Sequence, residues 1–369
     1  MTSIGDLLEE KKEWKVSEYS VYKYIPNQET INRDGAEPRA AGQGFSLILV
    51  GTSISTDREP FLREHVGTKI THSSLYRSNG QVTTLDPELF PPSSQSYHCL
   101  VEVSPDENNS KNEEEILYLL SFMSIGKQGL DLFRTELDKY CKSLHPLLRE
   151  LPPSNPSESF PGSNLEIRVK NWFSENVEYL SRVVQRCQKE LPLLLHTAVE
   201  PYVEVAGDDL GAIKDINEFL EACSLANLMQ FSSESSPVDQ SFVKITVTKD
   251  DCQVTGGESS KFTDNWAQVL LAQGTASPDP FFIRQAIENY KLKIIQDLNA
   301  LKRLLRQAET DYHSLFRCFV FMVSCSNGPL LLRCALQEAQ TLSSPDTMAV
   351  LEAIKLYTDK HGFQNNLTT

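Results

Sequence analysis

The chain has 369 residues, a formal charge of −15 and a pI near 5.0. That field repels phosphates and argues against non-specific nucleic-acid binding; a local basic surface can act only within a Debye length of about 8 Å. Hydrophobic residues at 40% and aromatics at 9% argue against wholesale disorder, and the length exceeds what one core ordinarily supports, so two domains or one large elaborated unit are expected.

Residues 1–15 read as a short amphipathic helix or a frayed leader. Tyr19–Ile25 alternates and stops at Pro26, which predicts a first strand, and the polar stretch 27–43 predicts a long loop. Phe45–Val50 is a continuous apolar run, which predicts a central strand. Asp57–Gly67 predicts a short helix with Pro60 in its first turn, and Asn79-Gly80 predicts the tip of a hairpin, since that dipeptide suits a type I′ turn. Tyr97–Val103 puts Tyr97, Cys99, Val101 and Val103 on one face before an acidic loop, Ser104–Glu115. Ile116–Ile125 predicts an interior strand and Leu130–Leu144 a helix. Two strands, a helix, three strands and a helix is the order seen in longin-type domains.

Pro152–Ser163 predicts a linker. Beyond it Leu165, Val169, Trp172, Phe173, Leu180, Val183, Val184 and Cys187 trace one helical face up to Pro192, which must end or kink the helix. A second helix follows Asp208-Asp209. Residues 232–262 form a polar excursion with one strand, Phe242–Thr248, and Phe262–Gln273 predicts a short helix. Asp279-Pro280 then opens the most strongly patterned element, an apolar stripe stepping by three or four residues from Ile283 to Leu305 and on through Tyr312, Leu315, Phe319 and Met322. Residues 279–309 predict a helix of roughly 45 Å, broken at Thr310-Asp311 and stopped at Ser326-Asn327-Gly328-Pro329 by a left-handed glycine and a proline. Ser344-Pro345 opens a last helix with Met348, Leu351, Ile354 and Tyr357 inward and Gly362 closing it. The fold class is α+β: an antiparallel-sheet domain flanked by helices at 1–150, longin-like in element order, a linker at 151–163, and a mainly helical domain at 164–369 with a long amphipathic helix.

Beside the apolar stripe, offset by about 60–120°, run Arg284, Lys291, Lys302 and Arg306, with Lys293 and Arg303 elsewhere on the polar surface. These cations either keep a helix face solvated or meet an acidic partner. Tyr290, Arg306, Tyr312 and Phe316 are residue types that dominate protein interfaces, although Tyr290 and Tyr312 lie on the stripe and read as core. The candidate partner-binding set is therefore Arg284, Lys291, Lys302, Arg303, Arg306 and Phe316.

No window reaches the roughly 18 uncharged apolar residues of a membrane-spanning helix, and no signal-peptide segment or lipidation motif is evident, so a soluble intracellular protein is expected. The eight cysteines contain no Cys-x-x-Cys pair and read as reduced core thiols; no metal or cofactor is expected. The chain lacks a Gly-x-Ser-x-Gly elbow, a phosphate-binding Gly-x-x-x-x-Gly-Lys-Ser/Thr and a Gly-x-Gly-x-x-Gly after a strand. His196 reads as partly buried and hydrogen-bonded, Glu113–Glu115 as solvated charge, and His98 cannot pair with Cys99 because strand neighbours face opposite sides.

The run Asn289-Tyr290-Lys291-Leu292-Lys293, Ile295-Gln296-Asp297, Leu301-Lys302-Arg303 and Arg306-Gln307-Ala308-Glu309 closely resembles the Njmu-R family. Gly129–Arg134, Glu136–Tyr140, Trp172-Phe173, Leu194-Leu195-His196, Asp215-Ile216-Asn217 with Phe219-Leu220, and Asp264-Asn265-Trp266 extend the likeness, in order, over about residues 120–330. The first hundred residues match less well, and family members are expected to carry a longer acidic, serine-rich leader. The resemblance implies a non-enzymatic subunit of a Golgi vesicle-tethering complex. Its companions would be a WD-repeat protein, a large FAM-type subunit and a TBC-domain adaptor. With golgin tethers, the assembly would capture endosome-derived vesicles at the trans-Golgi network, placing the chain in the cytoplasm and on vesicles. A role in spermatogenesis attaches to the family name. The alternatives from the residues themselves are an enzyme with a site assembled from distant positions and an adaptor binding anionic lipid through its basic helix face.

Overall fold

Strand alternation near the N-terminus yields Ser17–Pro26 (β1), followed by Phe45–Thr52 (β2), the helix Glu59–His72 (α1), Gln81–Thr84 (β3), Gln95–Val103 (β4) and Ile116–Ser124 (β5). The computed structural model describes residues 16–26, 45–72, 79–103, 116–152, 155–199, 203–225, 243–248, 251–256, 259–272, 278–341 and 345–361; the readings for 1–15, 27–43, the acidic loop, Met229 and Gly362 lie outside them. The strands form one antiparallel sheet in the order β2-β1-β5-β4-β3, with β5 in the middle.

Two expectations are corrected. The apolar run Phe45–Val50 is an edge strand and not a central one. Its hydrophobicity serves two sides, because Leu47 and Leu49 pack toward the core while Gly51 lies so close to the Phe160 ring that a Cβ there would overlap it. Asn79-Gly80 precedes β3, and the β3–β4 connection is Leu85–Ser94. Glycine is required at position 80 because a Cβ would strike the Tyr97 ring, not because of a turn; the Gly80 N–H donates to Asp138 Oδ1 at 2.8 Å, as does the Tyr97 hydroxyl at 2.6 Å.

Both sheet faces are covered, which explains why β4 and β5 read as continuous apolar runs. Tyr22, Leu100, Leu119 and Met123 pack with Leu62 and Val66 of α1. The opposite face meets a 3₁₀ turn, Leu130–Phe133, and the helices Arg134–Ser143 (α2), His145–Arg149 (α3), Pro156–Ser159 (α4), Asn164–Lys170 (α5) and Trp172–Asn176 (α6). Here Trp172 stacks on Phe122, with centroids 5.1 Å apart, and Phe122 meets Tyr140 at 5.7 Å. The chain divides into two compact units at Glu178/Tyr179, so the stretch 155–178 belongs to the first. Within the segment read as a linker, Pro156 and Phe160 are buried, and Phe160 meets Tyr19. The single helical face read through Cys187 is several short helices, interrupted at Asn171 and Val177, although all its apolar residues are buried.

The second unit begins with Tyr179–Arg186 (α7) and Leu191–Thr197 (α8); Pro192 opens α8 in its first turn. Val203–Gly207 (β6) and Cys252–Thr255 (β8), neither evident in the sequence, flank Val243–Val247 (β7), with β6 parallel and β8 antiparallel to it. These strands are four or five residues long, too short for their alternation to stand out. Leu210–Cys223 (α9) is capped by Asp209, which accepts the Gly211 and Ala212 N–H groups, and is clamped to α7 where Arg182 grips both oxygens of Asp215 at 2.7 Å. Lys261–Leu271 (α10) opens with a Ser260/Thr263 capping box.

Pro280–Ala308 (α11) is the organising helix of this unit, contacting α7, α9 and α10 as well as Tyr312–Ser324 (α12), Gly328–Thr341 (α13) and Pro345–His361 (α14). Its stripe is buried, and the Tyr290 hydroxyl donates to the Leu195 carbonyl at 2.8 Å while its ring stacks on Phe262. Asp297 accepts from the side-chain amide of buried Asn327 at 2.9 Å, tying α11 to the α12–α13 turn. Gly328 does not take a left-handed conformation and instead starts α13, with Pro329 in the first turn, where a missing N–H costs nothing. Asp279 caps α11 by accepting the Phe281 N–H at 3.2 Å. Asp279→Ala should therefore destabilise the second unit by about 1 kcal/mol, read by urea denaturation; an unchanged midpoint would show that Pro280 alone sets this helix start.

Candidate functional site

The basic face of α11 is largely internally neutralised. Arg284 is 5% exposed and reaches Glu288 Oε1 at 3.3 Å, and Lys291 joins the same oxygen at 2.9 Å. Lys302 Nζ lies 2.6 Å from Glu338 on α13. Arg303 and Arg306 differ, being exposed and without an ion pair among the described residues. The structure thus splits the six candidate partner-binding residues: three cations are occupied, two project to solvent, and Phe316 lies on α12.

Phe316 is 62% exposed. The reason is a change of phase at Asp311, which caps α12 by accepting the His313 and Ser314 N–H groups at 3.0 and 3.1 Å. The new helix buries the stripe Ser314, Cys318 and Met322, leaving Leu315, Phe319, Val320, Phe321 and Val323 half-buried. A helix apolar on nearly every side normally lies in a core; this one presents much of that surface to solvent. Leu315, Phe316 and Phe319 line a groove of about 360 Å³ with Ala353, Ile354 and Tyr357 of α14. Phe319 and Tyr357 meet edge-to-face at 4.5 Å. Tyr357, placed inward by the helical spacing, is instead 49% exposed, and Leu356 next to it is 60% exposed.

The charge around the groove is mixed: α12 carries no acidic residue, while Glu352 is exposed beside Ala353 on α14. No acidic residue occurs between Asp311 and Glu338, whereas Arg317 is exposed beside Phe316. Sequence reasoning found Phe316 but missed Leu315, Phe319 and Tyr357 as surface residues, because helical periodicity cannot tell a stripe facing the core from one facing a partner. The available signal was the all-round apolar character of α12.

The most catalysis-like cluster lies elsewhere. His98 Nε2 is 2.7 Å from Ser96 Oγ, and its Nδ1 is 3.0 Å from Ser121 Oγ. The histidine is fully buried, and desolvation holds its pKa down to about 3, with His65 and Lys69 adding to the shift. Among the described residues no carboxylate orients the ring, and a base sealed from solvent has no route to a substrate. Cys99 faces the other side of the sheet, and its thiol donates to the Leu100 carbonyl at 3.7 Å. His196 is half-buried in the last turn of α8. Among the described residues no group of three or more His, Cys, Asp or Glu could hold a metal ion, and no helix is long and apolar enough to cross a membrane.

The chain is 30% identical to mouse (Mus musculus) Protein Njmu-R1 over 360 residues, covering 91% of this chain and 89% of that protein. The likeness extends well beyond the stretch 120–330 that carries the resemblance in sequence, since the family model of the Njmu-R1-like proteins matches residues 19–359. It therefore takes in both compact units, including the sheet and the α12–α14 groove, and the chain belongs to the Njmu-R1-like protein family.

Proposed function

We propose that this chain is a non-enzymatic docking subunit of a vesicle-tethering complex. It acts with a WD-repeat protein, a large FAM-type subunit and a TBC-domain adaptor in golgin-mediated capture of endosome-derived vesicles at the trans-Golgi network. Family membership and the resemblance support the assembly, and one observation carries the docking role: the exposed apolar groove between α12 and α14, centred on Phe316. Its geometry suits a partner helix laid along the groove with its apolar face inward, anchored on aromatic side chains. Arg317, exposed beside Phe316, favours an acidic residue on the flank of that helix nearest α12. The lipid-binding alternative is weakened because Arg284, Lys291 and Lys302 have carboxylate partners already.

The test is affinity of the purified chain for the WD-repeat subunit, alone and with the large subunit. Phe316→Glu should weaken binding by at least roughly 30-fold, the equivalent of a 2 kcal/mol hot spot, with an unchanged circular dichroism spectrum. Normal affinity in the variant would remove the groove from the interface. Failure of the wild-type chain to bind either subunit would remove the tethering assembly itself.

A further inference from the structure

A second surface feature is independent of the groove and lies in the first unit. β2 forms one edge of the five-stranded sheet, and among the described residues no strand pairs with its outer side. Natural sheets blunt such edges with lysine, proline, a bulge or a very short strand. β3, the opposite edge, has four residues, whereas β2 has eight, Phe-Ser-Leu-Ile-Leu-Val-Gly-Thr, without one charged side chain. Its far end is partly protected, because the ladder to β1 is irregular between Val21 and Tyr22 and Phe160 lies against Gly51. Residues 45–49 keep a regular register, and Ile48 is 45% exposed. We infer that two copies of this chain associate through this stretch, their β2 edges pairing antiparallel about a two-fold axis at Leu47 so that the two sheets become one.

The register follows from which backbone groups point outward. Pro26 stands opposite Phe45 and has no N–H to give, so the bonds to β1 fall on Ser46 and Ile48. The N–H and C=O groups of Phe45, Leu47 and Leu49 then face the free edge. A two-fold at Leu47 sets that residue against its own copy and Phe45 against Leu49 of the second copy, so each outward donor meets an acceptor. Ser46 falls opposite Ile48 of the second copy, in the closely spaced pair that exchanges no hydrogen bonds.

Self-complementarity is what singles out a second copy. The strand carries no charge, so the two-fold brings no like charges together along the ladder, and it pairs an aromatic with an aliphatic side chain at each end. Strand pairing alone buries a small area; exposed Phe61 of α1, the helix in contact with β2, adds apolar surface beside it. The dimer is therefore weak and concentration-dependent. The formal charge of −15 on each copy opposes association and salt screens it, so the dimer should tighten as ionic strength rises.

The test is sedimentation equilibrium of the full-length chain from roughly 1 to 100 µM. The mass should rise from 41.6 kDa toward twice that value. Ser46→Lys/Ile48→Lys should abolish the rise, because each new lysine faces another; both positions are exposed, so the circular dichroism spectrum should not change. Ser46→Lys/Ile48→Glu should restore it, since the two-fold then sets each lysine against a glutamate, a rescue that mere misfolding cannot mimic. A wild type that stays monomeric at every concentration and salt overturns the inference. So does a dimer indifferent to the lysine pair, or one that the lysine–glutamate variant fails to regain. Slow hydrogen exchange at 45–49 in the monomer would show that the edge is already held within one chain, and would overturn it equally.

Discussion

Trp172→Ala is expected to destabilise the first unit by about 3–5 kcal/mol, the range for deleting a large aromatic from a packed core. Trp172 is 1% exposed, stacks on Phe122 of the central strand and meets Phe173 edge-on at 5.3 Å. Phe122 in turn touches Tyr97 and Tyr140, so removing the indole opens a void beside a connected set of rings reaching β4, β5 and α2. The sheet's other face is built from a separate set centred on Tyr22 and Leu119 and cannot collapse into that void. Hydrogen exchange resolved by peptide is the suitable measurement, because a chain of two units need not unfold in one step. Protection should fall across Ile116–Ser124 and Arg134–Ser143. A loss below about 1 kcal/mol would mean the α5–α6 segment is peripheral to this core, whereas Trp172→Phe should recover much of the stability.

Much of this fold is legible in the chain because its signals are local. Pro26, Asp209, Asp279 and Asp311 mark element ends by chemistry a reader can apply directly, and α11 follows its stripe residue by residue. What is lost is information that neighbours carry. The Phe45–Val50 run looks interior because its side chains are apolar, and only the sheet order shows it on an edge. Gly80 mimics a turn glycine while serving the Tyr97 ring across the sheet. The basic ridge of α11 was visible, but its neutralisation depends partly on Glu338, a residue on another helix. The groove escaped for the same reason: burial of Phe319 and Tyr357 depends on whether anything covers them, and helical spacing is silent on that.

The stability of the first unit should fall as pH drops from 6.5 toward 5, and His98 should account for a distinct part of the fall. Its ring is fully buried among Ser96, Ser121 and Thr83, all neutral, and the charged groups near it are His65 and Lys69 of α1, which oppose a further positive charge. Burial also lowers the His65 pKa. The folded pKa of His98, about 3, lies below the unfolded 6.5. Between those values the unfolded chain binds the proton and the folded chain does not, so stability is fully present above 6.5 and erodes below it. One such group contributes a slope of roughly 1.4 kcal/mol per pH unit, hence about 2 kcal/mol between pH 6.5 and 5. The window stops at 5 because carboxylates begin to titrate below it. His98→Asn removes the titration but weakens the hydrogen bonds, so the variant should be less stable at pH 7 yet show a flatter dependence down to pH 5. Parallel pH profiles for variant and wild type would mean that His98 takes up its proton in the folded state, and that the serine-lined pocket admits charge after all.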